Sequence, residues 1–272
     1  MFEEGPDAHL LDATLYAKSQ SQIRELKSRL PPASVAGLAR EVIRRLADQG
    51  TEIRAQRPSE YQLESFCYAL ISEDDQAGAA FIQEARSAGA SIESIYLTYL
   101  AGAARMLGSW WDNDLATFAE VTLGTSRMYA IMRAMRRQTQ LPIAVATKSA
   151  IFTIAPGDTH TLGIRMATDL FRRDGWWIDL QIEGDHDALV SHISNAPTQL
   201  IGISAGGAHS LQALSRLIVA LRINRPDAMI FVSGHIVEEA ADAIELIGVD
   251  GLASDIHAAK ALMNQLWQTL QP

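Results

Sequence analysis

One short loop contains the residues whose types and spacing are best suited to chemistry: Asp158, His160 and Gly163. The neutral imidazole of His160 offers a ring nitrogen that can bind a metal ion. A carboxylate at the position of Asp158 can hold the other ring nitrogen and raise the basicity of the ligand. Gly163 leaves the backbone bare at a point where a side chain would obstruct a bound ligand. The spacing Asp-x-His-x-x-Gly therefore indicates a metal or cofactor site.

The same residues allow a plainer interpretation, in which Asp158 caps a helix at Thr161 and His160 is a surface residue. Three fixed positions with ordinary residue frequencies occur by chance in roughly a few per cent of chains of this length. The motif therefore indicates a ligand site only if the fold places it where ligands bind. That fold is predicted from the hydrophobic pattern of the whole chain.

The elements that position this loop follow from a change of hydrophobic period along the chain. Apolar residues recur at helical spacing between residues 33 and 141, which predicts a bundle of amphipathic helices. Residues 1–32 are predicted to form a further helix or an arm, and the bundle ends at Leu141-Pro142. The second to fifth bundle helices are predicted to begin near Ser59, Asp75, Ser91 and Asp114.

Residues 142–272 show short β-branched runs that alternate with helical stretches. This alternation predicts a flavodoxin-like, Rossmann-type α/β domain with a five-stranded parallel sheet covered on both faces. The predicted strands are residues 150–154, 177–182, 200–204, 229–233 and 251–253, each followed by a helix. Ligands of such sheets bind beyond the carboxyl ends of the strands, so the loops at that edge are the candidate site.

Three loops leave the sheet at that edge, and each is rich in small residues that allow a large flat ligand to approach the backbone. The candidate cofactor-binding residues are Asp158, Thr159, His160, Thr161, Leu162 and Gly163 after the first strand, Ser204, Gly206 and Gly207 after the third, and Ser233, Gly234 and His235 after the fourth.

The composition narrows the functional class. With 23 basic and 32 acidic residues the net charge is −9, which disfavours direct binding to nucleic-acid phosphates. The single cysteine, Cys67, excludes an internal disulfide and a cysteine-built metal site, and it fits a reducing cytoplasm. No membrane-spanning stretch, signal peptide, dinucleotide-binding glycine motif or serine–histidine–aspartate order stands out. We expect a cytoplasmic protein, and we expect it not to be an enzyme.

The motif Asp158-x-His160-x-x-Gly163, followed by Ser204 and by Ser233-Gly234, resembles the cobalamin-binding domain of corrinoid methyltransferases, mutases and light-sensing regulators. The resemblance implies that His160 is the lower axial ligand of cobalt and that Asp158 is its hydrogen-bond partner. It also implies that Gly163, Ser204 and Gly234 line the pocket for the dimethylbenzimidazole tail of the cofactor.

Two positions depart from the pattern of that family. Its second motif is usually Ser-x-Leu and here reads Ser204-Ala205-Gly206, whereas its third is usually Gly-Gly and here reads Ser233-Gly234. Both changes keep small residues, so they bear on affinity and on the identity of the tail more than on binding itself.

A helical bundle before such a domain typically covers the upper face of the corrin. The candidate cap residues are Trp110, Trp111, Phe118, Glu120 and Val121, since tryptophans offer wide, flat apolar surfaces; alternatively, the tryptophans only close the interface between the two domains.

In photosensors of the CarH type a tryptophan precedes a Glu-His pair with nine residues between. Trp110 and Glu120 keep that spacing, but Val121 stands in the place of the histidine, so this segment provides no upper ligand.

The segment with Leu-Gly-x-Trp-Trp and a downstream Phe-x-Glu-Val-Thr is similar to the AerR/PpaA group of photosynthesis-gene regulators, and the likeness spans about residues 35–265. It implies a photoreceptor or redox sensor that works as an antirepressor, as a monomer or a dimer, by binding a DNA-binding repressor of the CrtJ/PpsR type. Two alternatives remain open: a corrinoid carrier of a methyltransferase system and a haem-binding redox or gas sensor, because haem iron also accepts histidine.

Overall fold

The computed structural model describes residues 58–138 and 148–271. The predicted arm at 1–32, the first bundle helix and the predicted boundary at 141–142 lie outside these ranges. The described residues 58–86 and 92–271 belong to one compact unit, which contains both helical residues and the α/β part.

The helical part begins with α1 at Ser59, where the sequence provides a capping box. The Ser59 hydroxyl accepts a hydrogen bond from the backbone N–H of Gln62, and the Gln62 side chain accepts one from the backbone N–H of Ser59. The helices that follow are α1 (Glu60–Ile71), α2 (Ala77–Ser87), α3 (Ile92–Ser94), a π-helical segment (Ile95–Leu100), α4 (Ala101–Asp112) and α5 (Phe118–Gln138).

Two details of these helices differ from the sequence prediction. Helix α5 begins at Phe118 rather than near Asp114, because Asp114 takes a left-handed backbone with φ 57°. Thr117 and Glu120 form a second capping box that starts the helix instead. The π-helical segment interrupts the predicted fourth helix, and such segments often occur at functional sites.

The α/β part contains the predicted parallel sheet. Its strands are β1 (Lys148–Ile154), β2 (Trp176–Gln181), β3 (Leu200–Ser204), β4 (Met229–Ser233) and β5 (Gly251–Ala253), and they lie in the order β2-β1-β3-β4-β5. All four neighbouring pairs are parallel. The predicted strands agree with these bounds to within one or two residues at each end. The predicted class, a helical region followed by a Rossmann-type sheet domain, is confirmed.

Helices cover both faces of the sheet, as right-handed crossovers between parallel strands require. These helices are α6 (Leu162–Arg173), α7 (His186–Asn195), α8 (Leu211–Asn224), α9 (Ile236–Leu246) and α10 (Ile256–Thr269). One buried cluster packs α7, α8 and α9 against the sheet, and a second packs α6 and α10 against the other face. Within the two described ranges, no helix has both the length and the apolar character needed to cross a bilayer.

A buried carboxylate on α6 joins the α/β part to the helical part. Asp169, only 5% exposed, accepts a hydrogen bond of 3.1 Å from the Tyr96 hydroxyl and forms an ion pair of 2.9 Å with Arg136. Burial, followed by the negative charge of Asp169, raises the pKa of Tyr96, so this phenol stays protonated and donates. The π-helical segment and α5 are thereby both held to α6.

We expect Asp169→Ala to lower the free energy of unfolding by about 2–3 kcal/mol, because the fully buried Tyr96 hydroxyl loses its acceptor. Urea denaturation followed by circular dichroism measures the change. Asp242→Ala, which removes an exposed carboxylate from α9, is the matched control and should change the unfolding free energy by less than about 0.5 kcal/mol. Equal losses for both variants would contradict a specific role for the buried group.

Candidate functional site

The Asp158–His160 loop leaves the sheet at its topological switch point. It follows β1, which has β2 on one side and β3 on the other, so crossovers leave in both directions and open a crevice there. Gly157 turns the loop with a positive φ of 84°, a conformation that favours glycine. The backbone N–H of Ala155 donates to the Ser204 carbonyl at 3.0 Å, which continues the contact between β1 and β3 into the loop.

Asp158 is the centre of the polar network in this crevice. Its side chain is 1% exposed, and its Oδ1 accepts hydrogen bonds from the backbone N–H of His160 at 2.9 Å and from His160 Nδ1 at 2.8 Å. Its Oδ2 accepts from the backbone N–H of Gly206 at 2.6 Å and from the Ser210 hydroxyl at 3.1 Å. The donors to Asp158 are His160, Gly206 and Ser210 rather than N–H groups of α6, so this carboxylate orients His160 and does not cap the helix.

The electrostatics of the loop define which nitrogen of His160 is available. Burial raises the pKa of Asp158, but the hydrogen bonds from His160, Gly206 and Ser210 outweigh it and lower the pKa to about 2. An ionised carboxylate only accepts, so Nδ1 of His160 donates to Asp158, and in the neutral imidazole the lone pair is then on Nε2. The imidazole is 69% exposed, which makes Nε2 accessible to a metal ion outside the loop.

A cavity of about 210 Å³ lies beside this loop, under the carboxyl ends of the central strands. Four of the predicted residues line it: Gly163, Ser204, Ser233 and Gly234. The rest of the wall is mainly apolar and includes Leu97, Phe152, Met166 and Phe231, which the sequence analysis missed. Apolar positions on a strand or helix look the same in the sequence whether they face a cavity or the core, so no sequence pattern separates these residues.

Two of the predicted glycines shape the crevice in different ways. A Cβ on Gly163 would meet nothing within 4 Å, because this position opens onto the cavity. Gly234 has a positive φ of 100°, and a Cβ there would collide with the Ala205 carbonyl oxygen, so the third loop can approach the second only through glycine.

The remaining predicted loop residues have other neighbours. The Thr161 hydroxyl is 2.7 Å from the Tyr129 hydroxyl of α5, which ties the helical part to the residue after His160. His235 is exposed and lies 3.0 Å from Glu238 and 3.2 Å from Glu239. The structure places Thr159 in an exposed position, Leu162 at the start of α6, and Gly207 beside Glu239 and His209.

The five predicted cap residues lie at the end of α4 and the start of α5. Trp110 packs on Tyr68 with ring centroids 4.9 Å apart, whereas Trp111 and Phe118 are 52% and 72% exposed. Glu120 accepts hydrogen bonds from the Thr117 N–H and hydroxyl, both 2.7 Å long, and Val121 is half-buried on α5. Their contact with a cofactor stays a prediction.

Two polar residues of the site escaped the sequence analysis. Ser210 donates to Asp158, and Tyr129 lies beside Thr161. The position of Ser210 in the loop after β3 is a usable signal, because that loop leaves the same edge of the sheet as the Asp158 loop. Tyr129 belongs to a helix of the other part of the chain and offers no such signal.

One known protein family matches the α/β part of the chain. Residues 148–260 match the family model described as the B12 binding domain. This match covers most of the α/β part of the chain, and the resemblance to cobalamin-binding domains is confirmed.

A particular relative and a solved structure extend the likeness. The chain is 25% identical over 176 residues to an uncharacterized 20.5 kDa protein in the bchF-crtJ intergenic region of Rhodobacter capsulatus, a match that covers 64% of this chain and 92% of the relative. The fold is similar to that of the monomethylamine corrinoid protein of Methanosarcina barkeri, with a TM-score of 0.61 and 20% identity over 74% of this chain and 96% of that one.

Gly206 must stay bare for the Asp158–His160 pair to form. A Cβ at this position would lie 2.7 Å from His160 Nδ1 and 3.1 Å from Asp158 Oδ2. We expect Gly206→Ala to weaken corrinoid affinity by about 10-fold, because the Cβ displaces the His160 ring from its bond with Asp158. Titration with hydroxocobalamin measures this, and Gly108→Ala, where a Cβ meets open space, should match the wild type. Unchanged affinity in Gly206→Ala would show that the pair is not needed.

Proposed function

We propose that this protein is a cobalamin-binding regulator that responds to light or redox state and acts as an antirepressor through a DNA-binding protein of the CrtJ/PpsR type. The observation that carries the proposal is the pairing of an exposed imidazole with a buried, ionised carboxylate at the switch point of a B12-binding domain. His160 would hold the cobalt through Nε2, with Asp158 fixing the orientation of the ring.

The donor set and the cavity fit a corrinoid with a tail. Nε2 of His160 is a neutral nitrogen donor, which suits a transition metal of intermediate hardness such as cobalt. The mainly apolar cavity lined by Gly163 and Ser204 would take the flat tail and exclude water from it. When bound, cobalamin supplies an upper cobalt–ligand bond that light or a redox change can break or exchange.

The regulatory part of the proposal is supported by the relative and by the charge. The similar protein from Rhodobacter capsulatus is encoded in the bchF-crtJ intergenic region. The net charge of −9 of the present chain favours action through a protein partner over direct DNA binding. Two contacts give the helical part a direct connection to the cofactor loop and to α6: Tyr129 with Thr161, and Tyr96 with Asp169. A change of the ligand above the corrin can thereby alter the packing of the helical part and the surface that contacts a partner protein.

Purification of the full chain with hydroxo-, methyl- and adenosylcobalamin and with haem, followed by spectra in the dark and in light, tests the cofactor. We expect a corrinoid spectrum that changes on illumination or reduction. Haem binding without corrinoid binding would favour the gas or redox sensor, and transfer of the methyl group of methylcobalamin to an acceptor protein would favour the carrier. Failure to bind any corrinoid would refute the proposal.

A pull-down with a purified CrtJ/PpsR-type repressor tests the partner. We expect the amount of bound repressor to differ between the dark and illuminated holoprotein by several-fold. Repressor binding that ignores both light and cofactor would refute the sensor role and leave the B12-binding domain unaffected.

A further inference from the structure

A second imidazole lies beside the candidate cobalt ligand and takes no part in the proposed function. His209 is exposed on the 3-10 turn Ala208–Ser210, and its ring centroid is 6.1 Å from that of His160. One ligating atom each from Asp158, His160 and His209 lie within 4.8 Å of one another. In the part of the chain that the structure describes, this is the one group of three such residues close enough to share a metal ion.

The turn that carries His209 is held at both of its ends. At the first end, the backbone N–H of Ala208 donates to Glu239 of α9 at 2.6 Å. At the last, the Ser210 hydroxyl donates to Asp158 at 3.1 Å. The backbone of His209 is therefore fixed next to the loop of His160, while the exposed ring remains free to rotate about its side-chain torsions.

The roles of the three side chains follow from their existing bonds. Each oxygen of Asp158 already accepts two hydrogen bonds, so this carboxylate orients His160 rather than binding a metal itself. The remaining donors are Nε2 of His160 and a ring nitrogen of His209. Zinc–nitrogen bonds of 2.0–2.1 Å at tetrahedral angles place two ligating nitrogens about 3.3 Å apart. Rotation of the exposed His209 ring can bring its nitrogen toward Nε2 of His160, while Asp158 holds the His160 ring in place.

We propose that, in the corrinoid-free protein, His160 and His209 bind one divalent transition-metal ion of the Zn²⁺ class, with Asp158 orienting His160. Solvent completes the coordination of such a two-histidine site. The ion occupies the nitrogen that would face cobalt, so the ion and the corrinoid exclude each other. This exclusion rests on the proposed function, whereas binding of the ion does not.

Isothermal titration of the chelator-treated full chain with ZnCl₂ tests the site. We expect one ion per chain in the wild type and an affinity at least about 10-fold weaker in His209→Ala and in His160→Ala. His257→Ala, which removes an exposed histidine outside the cluster, is the matched control and should bind zinc like the wild type. Absence of stoichiometric binding, or an affinity that His209→Ala leaves unchanged, would overturn the proposal.

A competition experiment separates this inference from the proposed function. We expect zinc to slow hydroxocobalamin binding to the wild type several-fold, with EDTA reversing the effect, and to have no effect on His209→Ala. Zinc binding without corrinoid binding would refute the proposed function and leave the metal site intact. Corrinoid binding at a rate independent of zinc would overturn the mutual exclusion.

Discussion

His160→Ala is expected to weaken hydroxocobalamin binding by about 100-fold or more and to change the visible spectrum of whatever corrinoid remains bound. The imidazole is the proposed lower ligand, and its removal costs more than the 10- to 100-fold typical of losing an outer partner of a metal ligand. Since the side chain is 69% exposed, the apoprotein should unfold at the wild-type temperature. Absorption titration and thermal unfolding measure the two effects.

Two companion variants make the result specific. Asp158→Asn is expected to lose about 10- to 100-fold in affinity, because an amide nitrogen cannot accept from all the donors that surround the carboxylate. His257→Ala removes an exposed histidine elsewhere and should leave spectrum and affinity as in the wild type. A wild-type spectrum in His160→Ala would refute ligation by this residue, whatever else the domain binds.

Gly163→Leu is expected to reduce cobalamin affinity by about 100-fold while leaving the affinity for cobinamide, which lacks the nucleotide tail, within about 2-fold of wild type. The backbone at Gly163 lines the cavity and a Cβ there meets open space, so the leucine side chain would occupy the space proposed for the tail. Leucine favours a helix over glycine by as much as about 1 kcal/mol, so the stability of the apoprotein should not fall. Parallel titrations with the two corrinoids and a melting curve test this.

Ala261→Leu is the control for the larger side chain, because it introduces leucine at an exposed position of α10. It should bind both corrinoids as the wild type does. Equal losses for cobalamin and cobinamide in Gly163→Leu would show that the variant disturbs the His160 loop rather than the tail pocket. Unchanged cobalamin binding would show that the tail does not enter this cavity.

The fold was predictable because its information is local and repeated. Parallel strands buried on both faces read as short β-branched runs, and the helices between them carry the 3.6-residue period, so β1 to β5 could be located from the pattern. The start of α5 was misplaced, because the left-handed backbone of Asp114 and the Thr117–Glu120 capping box are single-residue events without a period.

The centre of the site was predictable for a similar reason. Asp158, His160 and Gly163 lie within one loop and one helix start, so their mutual geometry depends mainly on local backbone. The position of that loop at the carboxyl end of β1 follows from topology, which the order of strands and helices implies.

The sequence by itself thus determined the class of fold, the metal-competent histidine and the carboxylate that orients it. Only the tertiary structure decided that Ser210 and Gly206 complete the bonds of Asp158, that Leu97 reaches the cavity, and that His209 lies beside His160. These residues are distant in sequence from the partners they meet. These contacts depend on how β1 and β3 pair and on how the helices pack against the sheet. No single segment of the sequence specifies that packing.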